Sequence, residues 1–274
     1  MIDPKKARAK KETLIQNLRG LGSLLVAFSG GLDSAFLLAT AHGVLGDGVV
    51  AATAESVIYP SRELQDAIAL AQKKGIRHVV FPFHVTHLQE FVSNPPDRCY
   101  HCKKALLKTL VDIAKEKGIN HIAHGANADD LSDYRPGSRA AEEMGVLAPL
   151  LDAGLGKEEI RFLSKEMGLP TWEKPAMACL ASRIPYGDDI TEGRLKMIDE
   201  AESFLAQFGL KQFRVRHHGN VARIEVSPAD MERLIESGLR RRVVERFREI
   251  GFLHVSLDLE GYVTGSLNRA LEIG

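Results

Sequence analysis

Residues Ser29-Gly30-Gly31-Leu32-Asp33-Ser34 leave this chain few choices. The apolar run Leu24 to Phe28 before them reads as a buried parallel strand, and Ala35 to Leu45 after them reads as a helix. Two adjacent glycines let the backbone bend tightly and approach a ligand without Cβ interference, so N–H groups at the helix start can face an anion. Ser29 and Ser34 add hydroxyls, and Asp33 adds a carboxylate suited to a magnesium ion beside phosphates. The pattern is that of a nucleotide-triphosphate site. It is not Walker A, because the Lys-Ser or Lys-Thr pair is absent, and it lacks the glycine spacing of the dinucleotide fingerprint. The plainer alternative is a turn that only joins strand to helix.

Strands and helices alternate on either side of this loop. A helix over residues 4–19 with Leu14, Ile15 and Leu18 inward precedes it; the strand Val49 to Ala54 and the helix Ser61 to Lys74, with Leu64, Ile68 and Ala71 inward, follow. Then come the strand His78 to Phe83, the helix Lys103 to Lys117, the strands His121 to Ala126 and Val146 to Leu151, and the helix Lys157 to Met167. Alternation of this kind predicts an α/β fold, a Rossmann-like parallel sheet covered on both faces, with ligands beyond the carboxyl ends of its strands. Ala54-Glu55-Ser56 and Gly125-Ala126-Asn127-Ala128-Asp129-Asp130 leave strands on that edge and suit adenosine, ribose, phosphate or magnesium; a solvated turn is the alternative for the second. After Gly187 the pattern changes to a helix (191–208), two strands near 213–217 and 222–226, helical residues 228–250 and a strand at 254–259. The reading is therefore residues 1–187 as the nucleotide domain and 188–274 as a smaller α+β domain.

The chain has 274 residues, and 36 Lys plus Arg balance 36 Asp plus Glu, so no global field draws it to nucleic acid or an anionic membrane. No apolar run reaches the length of a membrane span and the basic start lacks a secretory apolar stretch, which predicts a cytoplasmic protein. Three cysteines, an odd number, argue against a disulfide framework and for metal or redox chemistry. Cys99 and Cys102 form a Cys-x-x-Cys at a helix start beside Arg98, Lys103 and Lys104, which favour thiolates. With Cys179 they make a three-thiolate set. On tetrahedral zinc this leaves a position for His101 or another residue; on a 4Fe-4S cluster it leaves one iron open. A redox pair with Cys179 buried elsewhere is the alternative. Arg214 and Arg216 share one face of a strand and suit a phosphate, or else face solvent. His217 and His218, on opposite faces, do not chelate one ion together.

The loop resembles the SGGxDS motif of the ATP pyrophosphatase (PP-loop) superfamily. Lys174 to Gly187 around Cys179, Asp133-Tyr134-Arg135-Pro136-Gly137, Arg214-Val215-Arg216 and Ala222-Arg223-Ile224-Glu225 then resemble the LarE family of ATP-dependent sulfur transferases over about residues 10–265. The resemblance implies adenylation of pyridinium-3,5-biscarboxylic acid mononucleotide with pyrophosphate release, then replacement of oxygen by sulfur, in nickel-pincer nucleotide synthesis. It implies ATP binding by Ser29, Gly30, Gly31, Asp33, Ser34, Ala54, Gly125, Asp129 and Arg183, magnesium on Asp33, and substrate phosphate on Glu202, Arg214 and Arg216, with Asp230 or Glu232 nearby. Single-cysteine members surrender the sulfur of the cysteine at the Cys179 position. This chain resembles the three-cysteine members, which implies Cys99, Cys102 and Cys179 as ligands of a catalytic 4Fe-4S cluster, a sulfide donor to reload it, and a homo-oligomer. The competing readings are a tRNA thiolase, an ammonia-dependent synthetase of the same superfamily, and a non-catalytic adenine-nucleotide sensor with structural zinc.

Overall fold

A computed structural model describes residues 2–132, 136–175, 178–210 and 212–269. The chain divides into two compact units: Met1–Ser56, Arg62–Val85 and Asp97–Met177 form the first, and Val57–Ser61, Thr86–Pro96 and Ala178–Gly274 the second. Two short segments of the amino-terminal half thus belong to the second unit.

The first unit is α/β. Helix α1 (Pro4–Arg19) starts where the Asp3 carboxylate accepts from the Lys5 and Lys6 amides, and it buries Ala7, Leu14 and Leu18. Strand β1 (Leu24–Ala27) leads through the glycine loop to α2 (Leu32–Leu45), and β2 (Val49–Glu55), α3 (Ser61–Lys73) and β3 (Arg77–Pro82) follow. A short helix α4 (Gln89–Val92) lies in the second unit; α5 (Arg98–Glu116), β4 (Ile122–Ala123), α6 (Pro136–Glu143), α7 (Pro149–Asp152) and α8 (Lys157–Glu166) return to the first. The four strands are parallel in the order β3-β2-β1-β4. The chain steps from β1 outward to β2 and β3 on one side, and β4 lies on the other. The strand order therefore reverses beside β1, the place where such sheets bind ligands. Leu24, Val26, Phe36, Leu37, Val49, Ala51, Leu150, Ile160 and Leu163 share the core.

Two expectations fail in informative ways. Val146 to Leu151 is not a strand: Leu147 makes one parallel bridge to Ala123, and Pro149, with no N–H to give a ladder, opens α7. Helix α3 buries Ala67, Leu70 and Ala71, while Leu64 and Ile68 stay half-buried. Its inward face is set by Gly30, whose α-carbon packs so closely on Ala67 that an added Cβ would lie 3.0 Å from the alanine Cβ.

The second unit holds α9 (Glu192–Ala206), β5 (Phe213–His218), β6 (Val221–Val226), α10 (Pro228–Ile235), α11 (Ser237–Ile250) and β7 (His254–Leu257). β5 and β6 are antiparallel, β6 and β7 parallel. Phe213, Val215, Ala222, Ile224 and Val226 pack with Ala201, Leu205, Leu234, Val243, Phe247 and Phe252. Residues 213 to 217 are all buried, so the second face of β5, carrying Arg214 and Arg216, is covered as well. Among the described residues no helix is long and apolar enough to cross a membrane.

Candidate active site

The loop after β1 is braced from behind. Phe28 donates its N–H to Ala52 O at 2.8 Å, and its carbonyl accepts from Thr53 Oγ1 at 2.7 Å. Thr53 has one hydroxyl proton and gives it to Phe28, so the 2.8 Å contact with His78 requires Nε2–H of the imidazole as donor. Burial holds the His78 pKa below its ordinary value, in keeping with a neutral ring.

Beyond Phe28 the two serines knit the turn. Ser34 Oγ donates to Gly31 O at 3.3 Å and accepts from Ser29 N–H at 3.3 Å, and the two hydroxyls are 3.0 Å apart. Gly30 has φ +75°, open to glycine at no cost, and also lacks room for a Cβ against α3. Gly31, at the N-cap position of α2, provides no capping side chain, so the first-turn amides stay available to an anion. Asp33 stands in that turn, half-buried.

β4 brings Gly125 against this turn: a Cβ there would lie 2.9 Å from Ser34 N and 3.2 Å from the Asp33 carbonyl carbon. Ala54, half-buried near the end of β2, lies on the other side of β1. Ser56 Oγ just beyond it is buried and has no hydrogen-bond partner among the described residues. Asp129 points to a helix: its Oδ2 accepts from Lys157 N–H at 2.8 Å at the start of α8. Asn127 Oδ1 in turn accepts from Asp129 N–H at 3.0 Å. Asp133, Tyr134 and Arg135 lie outside the described residues, as do Ala176 and Met177 of the cysteine segment.

Cys99 lies in the first turn of α5 and Cys102 about one turn further on; Cys99 is exposed, Cys102 half-buried, and neither is in a disulfide. The helix begins five residues earlier than its apolar periodicity implies, which places both thiols inside it. Burial lowers the pKa of the Lys103 ammonium, and the Cys102 thiolate opposes that shift. The Lys103 charge is in turn felt by His124, the residue before Gly125, whose pKa is pushed down to about 3 by burial first and Lys103 second. The thiol-bearing turn of α5 therefore borders the same strand ends as the glycine loop. We expect the His124 ring protons to show no titration by NMR between pH 8 and pH 4. Because its folded pKa lies below the unfolded one, stability from this group is complete above about pH 6.5. It is lost as pH falls towards about 3. A midpoint near 6.5 would refute this.

Two residues of this site escaped sequence reasoning. Lys174 Nζ reaches Gly30 O at 3.4 Å while paired with Glu63 and Asp66 at 3.0 and 2.6 Å, and His124 has no motif around it. A strand end followed by His-Gly was the available signal for the second; the first opens the segment around Cys179, but nothing there marks its reach to Gly30.

In the second unit Cys179 is half-buried and precedes the turn Leu180–Arg183. Arg183 is fully buried and bidentate with Glu202, both contacts 2.9 Å. Glu202 also accepts from Val215 N–H at 3.0 Å, on the edge of β5 away from β6. Arg216 is bidentate with Glu225 at 2.9 and 2.8 Å, a diagonal pair across the β5–β6 ladder, and donates to Ser182 O at 2.7 Å. Arg214 is buried, with its guanidinium 5.0 Å from the Tyr262 ring; burial and then the Arg183 charge lower its pKa. Neither arginine of β5 faces solvent. His217 packs on Phe252 at 5.5 Å while His218 is exposed, on opposite faces of the strand. Asp230 accepts from Ser227 and Arg233 within its own helix start, and Glu232 is exposed. Among the described residues no three His, Cys, Asp or Glu side chains are gathered to hold a metal ion.

A serine-laced glycine turn, running from the central strand of a parallel sheet into an uncapped helix where the strand order reverses, makes this a nucleotide-binding domain of the PP-loop ATP pyrophosphatase class. No family model matches the chain. It is 43% identical over 263 residues, 96% of its length and 98% of the relative's, to an uncharacterized protein of Synechocystis. An uncharacterized protein of Methanocaldococcus jannaschii is 29% identical over 242 residues, 87% of this chain and 90% of that one. The pyridinium-3,5-bisthiocarboxylic acid mononucleotide synthase of Lactiplantibacillus plantarum is 35% identical over 263 residues, 96% of this chain and 95% of the synthase. The chain belongs to the family of that synthase, the LarE family.

Proposed function

We propose that this chain is an ATP-dependent sulfur transferase. It adenylates a carboxyl group of pyridinium-3,5-biscarboxylic acid mononucleotide and exchanges the activated oxygen for sulfur. The observation that carries the reading is 35% identity to the synthase along 96% of the chain, set on a loop shaped for ATP. In the first step a substrate carboxylate oxygen bonds to the α-phosphorus of ATP and the bond to pyrophosphate breaks. The Gly30–Ser34 turn, with Ser29, receives the phosphates on backbone amides, Asp33 is the residue that would hold magnesium to offset their charge, and Ala54 and Gly125 flank the nucleoside. Asp129 acts by fixing the loop that carries Gly125 to the start of α8. In the second step a sulfur nucleophile attacks the acyl carbon and AMP departs with the oxygen.

For the sulfur source we favour the three-cysteine reading. On this reading Cys99 and Cys102, one helical turn apart, and Cys179, none of them in a disulfide, are the three thiolates that would hold a 4Fe-4S cluster. Such a cluster, when bound, supplies a sulfide on the iron without a protein ligand. Residues 188–274 on this reading form the substrate and oligomer domain, with Arg214 and Arg216 meeting the substrate phosphate. Glu225 holds the Arg216 side chain in place, and Glu202 holds that of Arg183 just before this region.

The test is anaerobic reconstitution with iron and sulfide, with metal and acid-labile sulfide analysis of the wild type and of Cys99→Ala, Cys102→Ala and Cys179→Ala. About four irons in the wild type, as a cubane requires, lost in each variant, is the expected result. Zinc alone, with ATP bound but no pyrophosphate released, would make the chain a nucleotide sensor. Loss of sulfur from Cys179 alone after reaction with adenylated substrate would make that cysteine a sacrificial donor.

A further inference from the structure

We infer that Arg183 is a positioning residue that fixes the backbone of Cys179 for sulfur transfer, and not a ligand of ATP. The inference rests on the proposed role of Cys179 in sulfur delivery. It starts from the carbonyl oxygen of Cys179, which accepts three hydrogen bonds: from Ser182 N–H at 3.0 Å, Ser182 Oγ at 2.8 Å and Arg183 Nη1 at 3.1 Å. The same Nη1 donates to Ala178 O at 2.8 Å and to Ser182 Oγ at 2.9 Å. One guanidinium edge thus gathers the residue before the cysteine, the cysteine itself and the serine that follows.

The other edge is anchored. Arg183 Nε and Nη2 meet the two Glu202 oxygens in a parallel fork, and Glu202 is tied by Oε1 to Val215 N–H of β5. The cysteine loop is therefore pinned through one arginine to a helix and to a sheet edge. Arg216 makes a second pin, Nη1 to Ser182 O, and is itself held by Glu225. Leu180 N–H closes the turn on Ile58 O at 2.7 Å. Arg183 has 0% exposure, so no face of it is turned to a solvent-borne nucleotide, whereas Cys179 keeps partial exposure. The arrangement fixes the main chain of a reactive residue and leaves its thiol reachable. A planar fork is required: lysine keeps the charge but cannot hold a carboxylate on one edge and three backbone and hydroxyl oxygens on the other.

The test uses the full chain with two variants, Arg183→Lys and the double variant Arg183→Met with Glu202→Gln. The second removes one charge of each sign and keeps an acceptor for Val215, so that no buried charge is left alone if the single change fails to fold. Three quantities are read: pyrophosphate release with its KM for ATP, thiolated product per chain, and the iodoacetamide alkylation rate of the Cys179 peptide by mass spectrometry. For Arg183→Lys we expect pyrophosphate release and KM for ATP within about twofold of wild type, and product down by about tenfold or more; for the double variant, which also changes Glu202, the alkylation rate alone is read. The Cys179 alkylation rate should change by a similar factor, as expected when a misplaced reactive group costs one to two orders of magnitude. A KM for ATP that rises in step with the loss of product would overturn the inference in favour of a nucleotide ligand. Unchanged alkylation and product would overturn it in favour of a purely structural ion pair. Should the wild type release no pyrophosphate, the proposed function fails by itself, and the alkylation rate still decides whether Arg183 positions Cys179.

Discussion

Gly125→Ala is expected to abolish most ATP-dependent pyrophosphate release while leaving the protein folded. The added methyl would sit 2.9 Å from Ser34 N and 3.2 Å from the Asp33 carbonyl carbon, and both contacts are main chain, which cannot rotate away. Either β4 retreats or the first turn of α2 does. The sheet is the stiffer side, because β4 pairs with β1 at Ile122 and Ala123 and bridges to Leu147. The helix start moves instead, and with it the amides and the Asp33 carboxylate proposed to meet phosphate and magnesium. A displacement of about 1 Å can cost about 100-fold in a positioned reaction. Overpacking adds about 1–3 kcal/mol of destabilisation. Gly43→Ala in the exposed last turn of the same helix is the control. A methyl added there would meet no atom within 4 Å, so this variant should gain at most about 0.5–1 kcal/mol, the figure for a helix interior, and leave catalysis alone. Steady-state pyrophosphate release and urea titration of both variants check this. Activity within threefold of wild type for Gly125→Ala would show that the loop does not need the close approach of β4.

This contact also shows what a sequence can and cannot disclose. The order strand, glycine turn, helix around Ser29 is local, and periodicity exposes it. The Cys-x-x-Cys at a helix start is local too, and only its position inside the helix had to be seen. Gly125 was legible as a small residue at a strand end, but not its distance from Ser34. Val146 to Leu151 has strand-like composition, yet one bridge at Leu147 satisfies the sheet and Pro149 turns the chain into a helix. The inward face of α3 depends on where Gly30 packs, 37 positions away from Ala67. Hardest to read was β5. Strict alternation with arginine at 214 and 216 suggests one solvated face. Both faces are buried because Glu225, Glu202, Ser182 and Tyr262 receive or cover the charges, and their contacts come from segments up to 48 positions away, as in Arg214 over Tyr262. A buried ion network has no periodicity of its own.

That network carries the second large prediction, Glu225→Leu, which should locally unfold the β5–β6 hairpin. The Glu225 carboxylate is 1% exposed and serves two arginines: Oε1 accepts from Arg216 Nε and Arg223 Nη2, each at 2.9 Å, and Oε2 from Arg216 Nη2 at 2.8 Å. Leucine is close in volume, so the loss is electrostatic. Arg216 stays buried with its charge, keeping only Ser182 O and Ser266 Oγ as acceptors among these contacts. Breaking a buried pair by removing one partner costs about 3–5 kcal/mol, a large share of the roughly 5–15 kcal/mol that holds a domain together. The single tryptophan, Trp172, lies in the first unit, so fluorescence would miss the event. Amide hydrogen exchange reports it directly. Protection of Val215, Arg216 and Ile224 should fall by about two to three and a half orders of magnitude, at about 1.4 kcal/mol per decade, while β1 and β2 keep theirs. The comparison is Arg246→Ala, which removes a half-exposed pair with Glu200 at 3.1 Å and should change the same amides by less than about threefold, because solvent already screens that contact. A Glu225→Leu hairpin protected to within tenfold of wild type would mean that Arg216 finds water or another carboxylate when Glu225 is gone. The pairing would then serve to place the arginine and not to hold the fold.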